Sequence, residues 1–288
     1  MNNIQSVEYQ ALIQRTSGGH YAFFTRSLPQ LPMCLLFIAH QAHNHWPLIL
    51  ASNRDEFHQR ATAAAHYWQD NPQWLGGKDL EAGGSWLLLN RNGRFGALTN
   101  VRNGQLAAGK LSRGELVKRA ASLDHGGSIN GRDFGGFNLL TGVLNGGQWQ
   151  MQVTSNQSDP QPRSPLNAGI HGLSNASLNT PWPKVASGRR ELHQLLSDTD
   201  GEAALEQGLW QLLSNRNQAP EVELPDTGIS RDMELLLSSR FIVNQRYGTR
   251  ASTLLLVDRQ QRALFVERSF DTAGGLQSET RERFSFDG

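Results

Sequence analysis

The feature that most constrains the fold is a repeated pairing of apolar segments across short polar turns. Four such pairs follow one another from Cys34 onward, and each is typical of two antiparallel strands joined in a β-hairpin. The turn of the second pair contains Asn92-Gly93, a strong signal for a tight hairpin turn. The pairs are CLLFIA with PLILAS, SWLLLN with RFGALTNV, GFNLLTGVL with QWQMQVT, and RASTLLLVD with RALFVERSF.

Helices are predicted in three segments between the hairpins: LSRGELVKRAASL, TPWPKVASGRRELHQLL and GEAALEQGLWQLL. Ser112 and Glu115 have the spacing of a capping box, and Pro181 and Pro183 lie near the start of the second helix. Residues 156–167 are predicted to be a surface loop. Strands in hairpins with helices grouped between them predict an α+β protein with antiparallel sheets.

Composition excludes several classes of protein. The chain has 27 basic and 26 acidic residues without a basic stripe, so we expect no nucleic-acid partner. Its single cysteine cannot form an intrachain disulfide, which favours a reducing compartment and a cytoplasmic location. No apolar run approaches the roughly 18 residues of a membrane span. We therefore expect a small-molecule substrate or ligand; the oligomeric state is left open.

The first 32 residues lack the apolar stretch of a signal peptide. We expect residues 1–32 to be a poorly ordered extension, or the result of a misassigned start, and residues 33–288 to form a single domain. Met33 directly precedes the only cysteine, at the point where the strand pattern begins. We therefore predict that the functional chain begins at Cys34, by initiation at Met33 and removal of that methionine, or by cleavage of a 33-residue leader.

Two interpretations of Cys34 are open: a small apolar strand residue, or a catalytic nucleophile. If the first turn is centred on Asn44, Cys34 lies opposite Arg54, and a nearby guanidinium favours the thiolate. A register shift of one residue would exchange Arg54 for Asn53 or Asp55. If Cys34 is the first residue, its free α-amine, with a pKa of about 7.7–8.0, could act as the base.

Other polar residues lie where an active site could use them. Asn100 lies at the end of a predicted strand and Asn175 precedes a turn, so either could stabilise an oxyanion or simply cap a turn. Arg250 could reach an anionic substrate group or remain a solvated charge. His43 and His45 lie in the first turn without a carboxylate or cysteine at ligand spacing, so we predict no metal site.

Six motifs in fixed order carry a resemblance: MCLLF, ASNRDEF, GGSWL, GALTNVR, HGLSNA and YGTRAST. Together they resemble the NRDE family, to which the eukaryotic transport and Golgi organization protein 2 belongs. The resemblance covers about residues 33 to 270. It implies an αββα fold of the N-terminal-nucleophile hydrolase type, with the Met-Cys start of the family at Met33 and Cys34.

Cysteine amidases of the penicillin V acylase and choloylglycine hydrolase kind are similar in a looser way. They carry an Arg-x-x-Asp spacing after the second strand, whereas the corresponding stretch here is Asn53–Glu56. The resemblance implies that Asn175 corresponds to their oxyanion-hole asparagine and Arg250 to their later arginine. Shared fold alone does not imply shared function.

Two hypotheses of different class follow from these residues. The first is a cofactor-free cysteine hydrolase acting on a non-peptide amide (C–N) bond. Cys34 is the nucleophile, Arg54 its electrostatic partner, and Asn100 or Asn175 the oxyanion donor; Asn53 is the further candidate beside Arg54. The alternative is a non-catalytic carrier for haem, a lipid or acyl-CoA, or a role in secretory and Golgi organisation, as the resemblance suggests.

Overall fold

The computed structural model describes residues 13–15, 21–23, 33–102, 109–122, 130–157, 163–199 and 201–286. The chain divides into two units, Met1–Leu31 and Pro32–Gly288. In the first unit, β1 (Ile13–Arg15) pairs antiparallel with β2 (Tyr21–Phe23). Most of residues 1–32 lie outside the described residues. The poor order expected for this extension and the start of the functional chain at Cys34 therefore remain predictions.

In the part of the second unit that the structure describes there are thirteen strands, whose pairings are all antiparallel. In chain order they are β3 (Met33–His40), β4 (Leu48–Phe57), β5 (Thr62–Trp68), β6 (Asn71–Asp79), β7 (Leu87–Asn90), β8 (Arg94–Asn100), β9 (Phe137–Asn145), β10 (Gln148–Ser155), β11 (Arg163–Pro165), β12 (Gly169–Leu173), β13 (Tyr247–Val257), β14 (Arg262–Phe270) and β15 (Leu276–Ser285). One sheet has the order β11-β10-β9-β8-β7-β6-β5, and the other has the order β12-β3-β4-β13-β14-β15.

The helices are α1 (Gly114–Ala121), α2 (Pro183–Asp198), α3 (Glu202–Leu213) and α4 (Arg231–Leu236). The first three confirm the predicted helical segments, and α2 begins at a proline because the missing N–H of that residue has no helical partner there anyway. The predicted capping box is wrong. Helix α1 starts two residues after Ser112, with Arg113 at its N-cap and no side-chain cap.

Three apolar clusters show how the layers stack. Ile38 and Phe95 belong to a cluster between the two sheets. Phe37, the next residue along β3, points the other way and packs with Leu209 of α3, because successive strand side chains alternate between faces. On the far side of the seven-stranded sheet, Leu116 of α1 anchors the third cluster. The order of layers is therefore helix, sheet, sheet, helices, which confirms the αββα fold.

All four predicted hairpins are present, as the pairs β3–β4, β7–β8, β9–β10 and β13–β14. Gly93 has a φ of +82°, which explains why a glycine follows Asn92 in the tight turn. The prediction of a loop over residues 156–167 is wrong in part, since β11 extends the sheet there by pairing with β10. Among the described residues, no helix combines the length and apolar character needed to cross a membrane.

Candidate functional site

Cys34 is the second residue of β3, at the strand end where β4 finishes. It pairs directly with Arg54, which confirms the register expected from a turn centred on Asn44. Directly opposite residues of an antiparallel pair project to the same face, so both side chains enter the space between the sheets. The Cys34 side chain is buried there, within the inter-sheet cluster.

Arg54 is held in place by contacts on three sides. Its guanidinium carbon lies 4.4 Å from the centre of the Trp86 ring, and its Nη1 donates to Thr62 Oγ1 at 3.2 Å. Its Nη2 lies 3.7 Å from Glu56 Oε2. A guanidinium stacked on an aromatic ring and paired with a carboxylate keeps a fixed position. The positive charge beside Cys34 is therefore a permanent part of this region.

The Cys34 thiol is nevertheless not activated in this chain. Burial raises its pKa to about 12, and the negative charges of Asp55 and Glu56 add to that rise. Arg54 lowers the pKa, as the sequence predicted, but its effect is smaller than that of burial. With Met33 in place, and itself buried, the thiol stays protonated at neutral pH.

Asn53 lies on the other face of β4, because it is adjacent in sequence to Arg54. Its Nδ2 donates to the carbonyl oxygens of Leu213 at 2.9 Å and Arg240 at 2.7 Å, and its Oδ1 accepts from Ser252. The structure thus separates Asn53 from the thiol of Cys34. Its contacts connect the sheet to the end of α3.

Asn100 and Asn175 do lie close to each other and to the nucleophile candidate. Asn175 Nδ2 donates to the Asn100 carbonyl at 2.9 Å, and the Arg102 N–H donates to the Asn175 carbonyl at 2.8 Å. Ser174 Oγ donates to the Cys34 carbonyl at 3.4 Å and to Asn175 Oδ1 at 3.0 Å. The structure therefore brings both asparagines to the end of β3 that carries Cys34.

Arg250 sits at a bulge in β13, between Thr249 and Ala251, where the register with β4 shifts. Bulges often redirect a side chain. The Nη1 of Arg250 donates to the carbonyl oxygens of Phe57 at 3.1 Å and His58 at 3.1 Å, and to that of Arg60 at 3.4 Å. Through these hydrogen bonds Arg250 holds residues 57–60, at and just after the end of β4, in position.

A cluster of buried charges on the helix side of β4 was not found from the sequence. Asp55, which is directly opposite Met33, is 1% exposed, and Lys184 at the start of α2 is 4% exposed. Burial raises the pKa of Asp55 to about 6, an effect opposed mainly by Lys184, and burial lowers the pKa of Lys184 to about 8. Asp55 Oδ2 and Lys184 Nζ have no hydrogen-bond partner among the described residues.

A buried ion pair completes this cluster. Arg102 Nη2 lies 2.8 Å from Glu234 Oε2, and the Arg102 guanidinium carbon lies 4.5 Å from the centre of the Trp182 ring. Arg102 Nη1 also contacts Met33 Sδ at 3.6 Å. The sequence shows Arg102 and Lys184 only as basic residues near apolar segments. It gives no sign that their acidic partners, Glu234 and Asp55, lie more than a hundred residues away along the chain.

A family model described as "Transport and Golgi organisation 2" matches residues 33–272. The chain belongs to this family. It is 32% identical to the "Transport and Golgi organization 2 homolog" of Mus musculus, over 82% of this chain and 93% of the relative. It is 33% identical to the Homo sapiens homolog over the same shares, and 28% identical to the Drosophila melanogaster protein over 82% of this chain and 92% of that one. The family match begins at Met33, directly before the cysteine.

Proposed function

We propose that this family member is a cysteine N-terminal-nucleophile hydrolase that cleaves a non-peptide amide bond of a small molecule once Cys34 is its first residue. The observation that supports this most is the position of Cys34. It lies at a strand end between the two sheets of an αββα fold, opposite Arg54 and next to Asn100 and Asn175. The start of the family match at Met33 supports the same boundary.

Freeing the α-amine of Cys34 changes the electrostatics of the thiol in two ways. The neutral amide becomes an ammonium group, and a positive charge near the thiol lowers its pKa. Removing the buried Met33 also admits water, which weakens the burial effect that holds the thiol protonated. Asp55, the strand partner of Met33, has an oxygen without a hydrogen-bond partner among the described residues and is suited to receive the new ammonium group.

The reaction then follows from these groups. The neutral form of the amine, populated near its pKa of about 8, accepts the thiol proton and so becomes the ammonium group, and the thiolate attacks the amide carbonyl carbon. The side-chain N–H groups of Asn100 or Asn175 stabilise the oxyanion. The protonated amine gives its proton to the leaving nitrogen as the C–N bond breaks, and water then hydrolyses the thioester on Cys34. Arg54 favours the thiolate throughout.

The test is a chain with a specific protease site placed directly before Cys34, compared before and after cleavage. Cleavage should create turnover of at least one compound in a panel of small amides, and Cys34→Ala should abolish it. The alkylation rate of the thiol by iodoacetamide should rise with a midpoint near pH 8 after cleavage. In the intact chain the midpoint should lie near the thiol pKa of about 12.

Two results would contradict the hydrolase. One is a cleaved, folded chain whose thiol still titrates as in the intact chain. The other is a cleaved chain that turns over no amide although its thiol reacts near neutral pH. In the second case, a saturable Soret shift on titration with haem would favour the carrier instead.

A further inference from the structure

A cavity of about 270 Å³ opens on the inner side of the six-stranded sheet. We call it the Arg250 pocket; its walls include Thr62, Trp86, Arg250, Ala251, Ser269 and Ser278. We propose that the Arg250 pocket binds a carboxylate group of the substrate, at a distance from the bond that Cys34 cleaves. This inference rests on the proposed hydrolase for its link to catalysis, but the binding itself does not require turnover.

Strand pairing aligns the pocket with the nucleophile. Cys34 pairs with Arg54, Arg54 with Ala251, Ala251 with Ser269, and Ser269 with Ser278, so these five residues form one row across the sheet. Neighbouring strands are about 4.8 Å apart, so Ala251 lies about 10 Å and Ser269 about 14 Å from Cys34 along this row. The floor of the pocket therefore begins two strands away from the thiol.

Arg54 separates the thiol from the pocket. Its guanidinium lies on the ring of Trp86, and Trp86 is also a wall of the pocket. A ligand that extends from the thiol into the pocket must pass along this stacked pair. The flat aromatic face and the alkyl part of the arginine suit a short apolar or planar linker.

The charge of the pocket wall favours an anion. Arg250 forms no salt bridge with any described carboxylate, and only its Nη1 is engaged, by three backbone carbonyls. The other arginine here, Arg54, already pairs with Glu56. Burial of Arg250 and the nearby charge of Arg54 lower the Arg250 pKa, and the negative charge of Glu56 opposes this lowering.

One acidic group also faces the pocket. Glu267 is 1% exposed, and its two oxygens accept from the Ala65 N–H at 2.7 Å and from Thr253 Oγ1 at 2.9 Å. Burial raises its pKa to about 7, so it is partly neutral at physiological pH. Glu267 therefore offsets the charge of Arg250 only in part, and its two oxygens are bonded to Ala65 and Thr253.

The geometry of these groups selects a carboxylate of modest size. A guanidinium matches a carboxylate with two parallel hydrogen bonds, and the hydroxyl groups of Ser269 and Ser278 add short polar donors. A cavity of about 270 Å³ is slightly smaller than the roughly 300–1,000 Å³ of typical ligand pockets, so it suits one end group rather than a whole cofactor. The expected substrate is a small amide with a carboxylate about 10–15 Å from the scissile carbonyl.

The test measures binding to the intact 288-residue chain by NMR, following the indole N–H signal of Trp86, which a Trp86→Phe variant identifies. Glutaramate, which carries a carboxylate, is compared with its neutral analogue glutaramide. Glutaramate should shift the signal saturably at millimolar concentrations, and glutaramide should bind at least about tenfold more weakly.

Variants locate the site and separate binding from folding. Arg250→Gln should weaken glutaramate binding at least about tenfold, whereas Arg259→Gln, in the turn after β13, should leave it unchanged. Arg250→Gln also removes the hydrogen bonds from Arg250 to three backbone carbonyls. Ser269→Asp therefore provides a second test, because it leaves these hydrogen bonds in place. It should abolish binding, while Ser269→Asn, nearly equal in size, should retain it.

Three results would refute carboxylate binding in the Arg250 pocket: equal binding of both probes, no shift with either probe, or glutaramate binding that survives Ser269→Asp. These outcomes differ from a failure of the hydrolase. A chain that binds glutaramate but never hydrolyses an amide after cleavage at Cys34 contradicts only the proposed function. A chain that hydrolyses amides without preferring carboxylates contradicts only the pocket.

Discussion

Replacing Glu267 with glutamine should remove a large pH dependence from the stability of the fold. Glu267 lies on β14 and accepts a hydrogen bond from the Ala65 N–H of β5, so it links the two sheets. Its second oxygen accepts from Thr253. A glutamine can keep both contacts, because its oxygen accepts from the fixed N–H and the Thr253 hydroxyl rotates to accept from its amide.

The magnitude follows from the pKa. Burial raises the pKa of Glu267 from 4.5 to about 7, so the folded state binds its proton more tightly than the unfolded state does. The stabilisation from this proton is fully present below about pH 4.5 and is lost as the pH rises to about 7. At about 1.4 kcal/mol per pKa unit, the loss is about 3 kcal/mol. The Glu267→Gln variant lacks this loss and should be the more stable protein at pH 8.

Urea denaturation followed by tryptophan fluorescence, at several pH values between 4.5 and 8, measures the effect. Subtracting the unfolding free energy of the variant from that of the wild type cancels the contributions of the other titrating groups. This difference should fall by about 3 kcal/mol as the pH rises across this range and then stay constant. The exposed Glu221→Gln is the matched control and should show no such trend. A difference for Glu267→Gln that is flat with pH, or that rises, would refute the reasoning.

Two further predictions concern packing and buried charge. A methyl group added at Gly188 would lie 2.1 Å from Phe37 Cζ, so Gly188→Ala should cost about 1–3 kcal/mol. Gly201→Ala meets no atom within 4 Å, so it should cost only the difference between glycine and alanine at the N-cap of α3, under about 1 kcal/mol. Thermal unfolding of both variants checks this. Arg102→Leu leaves Glu234 buried without its partner and should cost about 3–5 kcal/mol in chemical denaturation. A cost under about 1 kcal/mol, as is typical of an exposed arginine, would show that the pair is not desolvated.

Local signals in the sequence were sufficient for the hairpins and for one piece of the site. A turn of known centre determines which residues face each other, so the pairing of Cys34 with Arg54 could be predicted without any tertiary information. The same alternation explains why Asn53 cannot share the face of Arg54. From the sequence alone Asn53 and Arg54 are alternatives beside Cys34, and the observed register selects Arg54.

The remaining parts depend on contacts that no local pattern encodes. Strand β15 reads as a polar segment, and it is held at the sheet edge by ion pairs such as Arg281 with Glu206 and Arg283 with Glu202. The bulge that positions Arg250 appears only when β13 meets β4. For the same reason the sequence predicted the two sheets and their hairpins, but not the order in which the hairpins join.

The magnitudes indicate which change would activate the thiol. A fall in the Cys34 pKa from about 12 to about 8 requires about 5 kcal/mol in favour of the thiolate. Arg54 is already present in the intact chain, so it cannot supply this difference. An ammonium group about 4 Å from the sulfur contributes about 4 kcal/mol at an effective dielectric constant of about 20. Hydration of the space left by Met33 can supply the remainder. Release of the α-amine is thus the step on which the proposed hydrolysis would depend, and Arg54 determines only the thiol pKa from which that step starts.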